Sequence, residues 1–129
     1  LVDDRKCEFP RLDERRTGLS YQYGYMACDS RPREKGGLFN SIARVDHHSG
    51  KVLTHELPSG CATNEPIFVP AKDNAREGEG FLLANVYDAN QDVSYLLVLD
   101  AENVDSGPLA TAYLDHRVPF GFHGNWMSA

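Results

Sequence analysis

What this chain lacks narrows its function before any motif is considered. No apolar run approaches the length that spans a bilayer, and the N-terminal "LVDDRKCEF" is charged where a secretory signal needs an apolar core. Both absences predict a soluble, cytoplasmic protein. Lys and Arg number 13 against 19 Asp and Glu, for a formal net charge of -6, and the basic residues are scattered apart from "RPREK" at 31–35. Such a balance gives no basic face for a phosphate backbone, so no nucleic-acid partner is expected. Cys7, Cys28 and Cys61 are odd in number and form no CxxC pattern, which argues for reduced thiols over a disulfide frame or a zinc site. Glycine-rich phosphate loops, a serine nucleophile elbow and an HExxH helix are missing as well.

Helical periodicity is nearly absent too, and what replaces it is a succession of short β-rich segments separated by turn residues. The fold class expected is all-β. Strands are predicted at 21–27, at 38–46 and at 51–57, the last two joined as a hairpin whose turn carries Ser49 and Gly50. A clearer unit follows: "EPIFVP" at 65–70, "GFLLANVYD" at 80–88, the turn "ANQD", "VSYLLVLDA" at 93–101 and "PLATAYLD" at 108–115. The arms at 80–88 and 93–101 are nearly continuous apolar runs, as in strands covered on both faces. Four strands in sequence order, joined by turns, make an antiparallel meander of the kind that forms one propeller blade. The earlier strands make most of another blade, and "FGFHGNW" begins or completes a third. Two to three blades cannot close a ring of four to eight, and the chain begins at Leu1 rather than Met. It therefore reads as a segment of something longer, although a plain β-sandwich is compatible with the same strands.

Three stretches place an ionisable side chain beside Phe or Pro: Glu8 in "CEFPRLDERRTG", Glu65 in "NEPIFVP" and His123 in "VPFGFHGNW". Burying an unpaired charge is costly, so each carboxylate must reach water or find a partner. Taken singly, Glu8 and Glu65 read as solvated groups at strand ends, and His123 as a satisfied core residue. The functional alternative is that the carboxylates accept hydrogen bonds from metal-bound imidazoles and so fix ring orientation and tautomer.

Taken in order, "EFPR", "YQYGY", "EPIFVP", "LLVLDA" and "RVPFGFHGNW" resemble the C-terminal part of the carotenoid cleavage oxygenase family over nearly the whole chain. That family includes the lignostilbene dioxygenases and the retinal pigment epithelium isomerase. The resemblance implies the C-terminal part of a seven-bladed β-propeller, residues 1–129 supplying two to three blades. On its axis a non-haem Fe(II) is held by four histidines, three of which are hydrogen-bonded to glutamates. By motif position His123 corresponds to the last iron ligand, and Glu8 and Glu65 to two of the three glutamates. The other three ligand histidines lie upstream in the family, and this segment alone is expected to be inactive. The implied reaction inserts O2 across a C=C bond of a lipophilic carotenoid, apocarotenoid or stilbene and gives two carbonyl products. Neutral imidazoles suit Fe(II), and carboxylates one layer out offset its charge while leaving coordination positions open.

The remaining candidates read as structural. His47 and His48 fall in the turn "DHHSG", His55 on a strand, and His116 at a strand's end. "RRTG" and "RPREK" read as solvated loops. Phe120, Phe122 and Trp126 are expected to pack a blade core, with Phe120 and Phe122 as candidates to border a substrate tunnel. Gly121 and Gly124 are expected to allow close backbone approach or to mark bulges. Two other functions fit the same residues: a catalytically silent propeller that only binds, and an isomerohydrolase of the same family. Peripheral membrane contact by the intact enzyme is compatible with a lipophilic substrate.

Overall fold

In the computed structural model, which describes residues 4–32 and 38–127, the chain forms two antiparallel sheets, one of four strands and one of five. Residues 33–35 of the "RPREK" loop lie outside the described part. The first sheet has the order β1 (Cys7–Arg11), β2 (Tyr23–Cys28), β3 (Ser41–Asp46) and β4 (Val52–Glu56). The second contains β5 (Cys61–Thr63) and β6 (Ile67–Pro70), both paired to β7 (Gly80–Asp88), followed by β8 (Val93–Asp100) and β9 (Pro108–Tyr113). The fold is all-β, and no helix among the described residues is long and apolar enough to cross a membrane.

Turn chemistry explains most of this order. Gly50 adopts a φ of 71° at the β3–β4 connection, and the Asp46 carboxylate accepts from the backbone N–H groups of His48 and Ser49. Leu82, Ala84 and Val86 of β7 and Leu97 and Leu99 of β8 are buried. The opposite face of β7, with Phe81 and Asn85 exposed and Leu83 and Tyr87 half-buried, is not sealed as two continuous apolar runs had predicted. "FGFHGNW" forms no strand, so the only blades described are the two sheets; residues 118–127 run without regular structure.

Strand β1 was not anticipated, because five residues that include Glu, Pro and Arg carry little β propensity. It forms against β2 with a one-residue irregularity: Glu8 faces Ala27 but Arg11 faces Tyr25, and Phe9 takes a φ of 57°. The second sheet repeats the device at its own first strand. Thr63 faces Val86 and Ile67 faces Leu83, so three residues, Asn64 to Pro66, span two on β7. Pro10 and Pro66 fit because a bulge tolerates a residue without an N–H. Each sheet thus carries its motif glutamate at or beside a bulge on an edge strand.

A single core joins the sheets. Tyr25 of β2 stacks on Phe68 of β6 with centroids 5.7 Å apart and planes within 7°, and both belong to the cluster that contains Ile42, Leu82 and Leu99. The Thr63 N–H donates to the Phe39 carbonyl at 2.7 Å, a second bridge between sheets. Gly80 is needed beside this contact: a Cβ there would stand 2.2 Å from the Val69 carbonyl oxygen and 2.9 Å from the Phe68 ring. Gly80→Ala is expected to cost about 1–3 kcal/mol, as overpacking does. Gly121→Ala, where a Cβ meets nothing within 4 Å, is expected to stay within about 0.5 kcal/mol. Urea denaturation of both variants checks the contrast, and equal midpoints would contradict it.

Candidate metal centre

The bulge between β5 and β6 turns Glu65 inward instead of leaving it at a solvated strand end. Its side chain is only 4% exposed. One carboxylate oxygen, Oε1, accepts from the Nδ1 side of His123 at 3.2 Å, and the other, Oε2, accepts from the Gly124 N–H at 2.8 Å. Because a carboxylate only accepts, the ring proton is assigned to Nδ1, which leaves Nε2 with its lone pair. The His123 side chain is itself 74% exposed and meets the Phe9 ring edge-on at 6.0 Å. His123 is therefore not a core histidine: it is a carboxylate-oriented imidazole at the surface of this chain, the arrangement common to metal-binding histidines.

Glu8 is placed differently. It lies on β1 opposite Ala27, exposed, and its carboxylate makes no hydrogen bond among the described residues. The structure thus brings Glu65 and His123 together across 58 positions and does not bring Glu8 to the same imidazole.

Residues 118–126 cross the open face of β7, tied at their start by the Val118 N–H to Ser94 Oγ at 2.9 Å. Between the two lies a cavity of about 330 Å³ bordered by Leu83, Tyr87, Leu96, Phe120, His123 and Trp126, among others. Phe120, Phe122 and Trp126 do not pack a blade core as expected, being 43%, 80% and 50% exposed. The reason is that their segment lies on the sheet rather than in it. Phe120 meets Tyr87 edge-on at 5.8 Å and lines the cavity, whereas Phe122 is not among the lining residues. Gly121 and Gly124 have open space where a Cβ would stand, so neither marks a close approach here. Gly124 contributes through its backbone instead.

One residue of the site carried no individual role in the sequence reading. Arg11, the last residue of "EFPR", reaches Glu65 Oε1 at 3.2 Å, the Gly124 carbonyl at 3.4 Å and Asn125 Oδ1 at 3.1 Å, and pairs with Glu14. Its only signal in the sequence was its place in that motif. "RRTG" is likewise more than a solvated loop: Arg15 pairs with the buried Asp13 at 2.6 Å and donates to the carbonyls of Asp73 and Ala75. Hydrogen bonding to Asp13 raises the already high pKa of Arg15.

The other histidines have structural surroundings. His47 packs edge-on against Tyr21 at 5.2 Å, His48 is exposed in the same turn, and His116 bonds to Asp115 at 2.6 Å. His55 faces Ile42 across β3 and β4, and its burial lowers its pKa. Among the described residues no group of three or more His, Cys, Asp or Glu side chains is placed to hold a metal ion. The donor set fits one oriented imidazole ligand, with Nε2 available, and not a complete site.

A family model described as retinal pigment epithelial membrane protein matches residues 1–128. The apocarotenoid-15,15'-oxygenase of Synechocystis is 36% identical over 127 residues, covering 98% of this chain and 26% of that protein. The lignostilbene-alpha,beta-dioxygenase isozyme III of Sphingomonas paucimobilis is 36% identical over 130 residues, covering 95% of this chain and 26% of its own length. Among solved structures, cobalt-substituted Synechocystis ACO superimposes with a TM-score of 0.90 at 31% identity, covering 99% of this chain and 26% of that one. The chain thus spans about a quarter of the length of the relatives it matches.

Proposed function

The chain belongs to the retinal pigment epithelial membrane protein family, and on that premise we propose that it is part of a non-haem Fe(II)-dependent dioxygenase. Its substrate is a carotenoid, apocarotenoid or stilbene, cleaved at a C=C bond into two carbonyl products. The observation that carries this reading is the Glu65–His123 contact, which couples two separate motifs through a buried carboxylate. His123 is one iron ligand, and the remaining ligands come from outside this chain.

Fe(II), when bound, supplies the activation of dioxygen. This chain's own residues do the holding and orienting. Glu65 fixes the ring of His123 through Nδ1, which leaves the Nε2 lone pair to hold the metal, and its carboxylate would offset the metal's charge through that ring. Arg11 offsets the carboxylate's own charge by donating to the same oxygen, Oε1. Glu8, exposed on the matching bulge of the first sheet, is read as the acceptor for an imidazole this chain does not contain. Phe120, with Leu83 and Leu96, gives the cavity beside His123 an apolar wall suited to a hydrocarbon chain or aromatic ring. Phe122, largely exposed, would border a tunnel only together with residues from outside this chain.

The test uses the whole protein, purified with Fe(II) and supplied with an apocarotenal or a hydroxystilbene under labelled O2. The expected result is about one iron per protein and labelled oxygen in both carbonyl products, read before exchange with water. A silent binding module would retain the substrate intact and release no carbonyl product, and an isomerohydrolase would take its oxygen from water without breaking the carbon chain. Either outcome would overturn the proposal.

A further inference from the structure

We propose that Arg11 is a positioning residue for the metal site, holding both the carboxylate that orients His123 and the backbone that carries it. The inference rests on the reading of His123 as an iron ligand and extends it to a residue that touches neither metal nor substrate. Three observations support it. His123 belongs to a segment without strand pairing and its side chain is 74% exposed, so neither a sheet ladder nor a packed core fixes its ring. Arg11, by contrast, is anchored at the end of β1, and its side chain is 16% exposed. From there Nη1 donates to Glu65 Oε1, the same oxygen that accepts from His123, and to the carbonyl of Gly124, the residue after the ligand.

The other guanidinium nitrogen completes the clamp. Nη2 donates to Asn125 Oδ1 and pairs with Glu14, itself in the short turn that follows β1. Glu65 then closes the circuit by accepting from the Gly124 N–H. One planar group therefore joins the edge of the first sheet, the bulge of the second and the ligand-bearing segment, partners 54 and 113–114 positions away. Geometry makes arginine the residue for this task. Its five N–H donors lie in a rigid fork and can serve four acceptors set in different directions, whereas an ammonium presents three donors about one atom.

The consequence is directional. Without the fork, Glu65 keeps its contact with Gly124 but loses the cation that holds its Oε1, and the Gly124 carbonyl and Asn125 side chain lose their hydrogen bonds to β1, which leaves the edge-on Phe9 ring as the remaining contact between β1 and His123. The imidazole then samples more orientations, and each metal-binding event must reorder it. Loss of such a supporting partner typically weakens metal affinity about 10–100-fold.

The experiment titrates Co(II) into the whole metal-free protein and reads affinity together with the visible d–d spectrum, which reports ligand geometry. Arg11→Met is expected to bind Co(II) about 100-fold more weakly with an altered spectrum, and Arg11→Lys about 10-fold more weakly, both with the circular dichroism of the wild type. An Arg11→Met protein with wild-type affinity and spectrum would overturn the inference alone, since the wild type would still bind. Full rescue by Arg11→Lys would also overturn it, by reducing the role to charge. If the methionine variant does not fold, the lysine variant decides, a 10-fold loss supporting the clamp and no loss refuting it. A wild type that binds no Co(II) overturns the iron reading and this inference with it.

Discussion

Replacing His123 by alanine is expected to weaken iron binding by at least about 100-fold, since loss of a mere supporting partner already costs 10–100-fold, and to remove dioxygen-dependent cleavage with it. The same change should leave the fold almost untouched. The imidazole is 74% exposed, so its removal opens no cavity, and surface substitutions of this kind stay within about 0.5 kcal/mol. Glu65 keeps two partners after the change, the Gly124 N–H and Arg11, and is not left as an uncompensated buried charge. Iron content by elemental analysis, set beside a thermal melt, separates the two effects. A variant that melts like the wild type and retains both iron and activity would refute the ligand assignment.

Phe68→Ala is expected to act in the opposite sense, on stability first and on the site second. Phe68 is 5% exposed and lies in the core shared by both sheets, stacked on Tyr25 at 5.7 Å. Truncating a buried Phe costs about 3–5 kcal/mol through lost burial and the cavity left behind. Here the loss falls on the contact between sheets, and the Gly80 backbone that accommodates the ring cannot move in to fill the space without shifting β7. Phe68 also follows Glu65 by three residues along the strand that the bulge interrupts, so a loosened Phe68 relaxes the anchor of Glu65. Phe68→Leu, which keeps most of the volume, is expected to cost about 1.5 kcal/mol or less. Urea midpoints for the pair check the expectation; an alanine variant within 1 kcal/mol of wild type would mean that this stack does not couple the sheets.

Much of the fold was legible because its signals are local. The β7–β8 hairpin was readable from two apolar runs about "ANQD", and observed β7 coincides with the predicted 80–88. The β3–β4 turn was readable from "HHSG", where Gly50 supplies the positive φ. Strand β1 was not, since its five residues become a strand only by pairing with β2 across a bulge. The strand predicted at 65–70 begins only at Ile67 as β6, while β5 at Cys61–Thr63 was not predicted, and the interruption between them at Asn64–Pro66 is what buries Glu65.

By itself the sequence determined the class of the fold and the short motifs that carry Glu8, Glu65 and His123. Alternation, turn residues and short motifs depend on neighbours within a few positions, and neighbours are what a sequence displays. Only the tertiary structure decided which carboxylate meets His123, that residues 118–127 lie across a sheet rather than in one, and that Arg11 ties the arrangement together. Those outcomes join residues 54 to 114 positions apart. Where the chain returns on itself is set by how two sheets pack around Tyr25 and Phe68, and no local pattern encodes that distance.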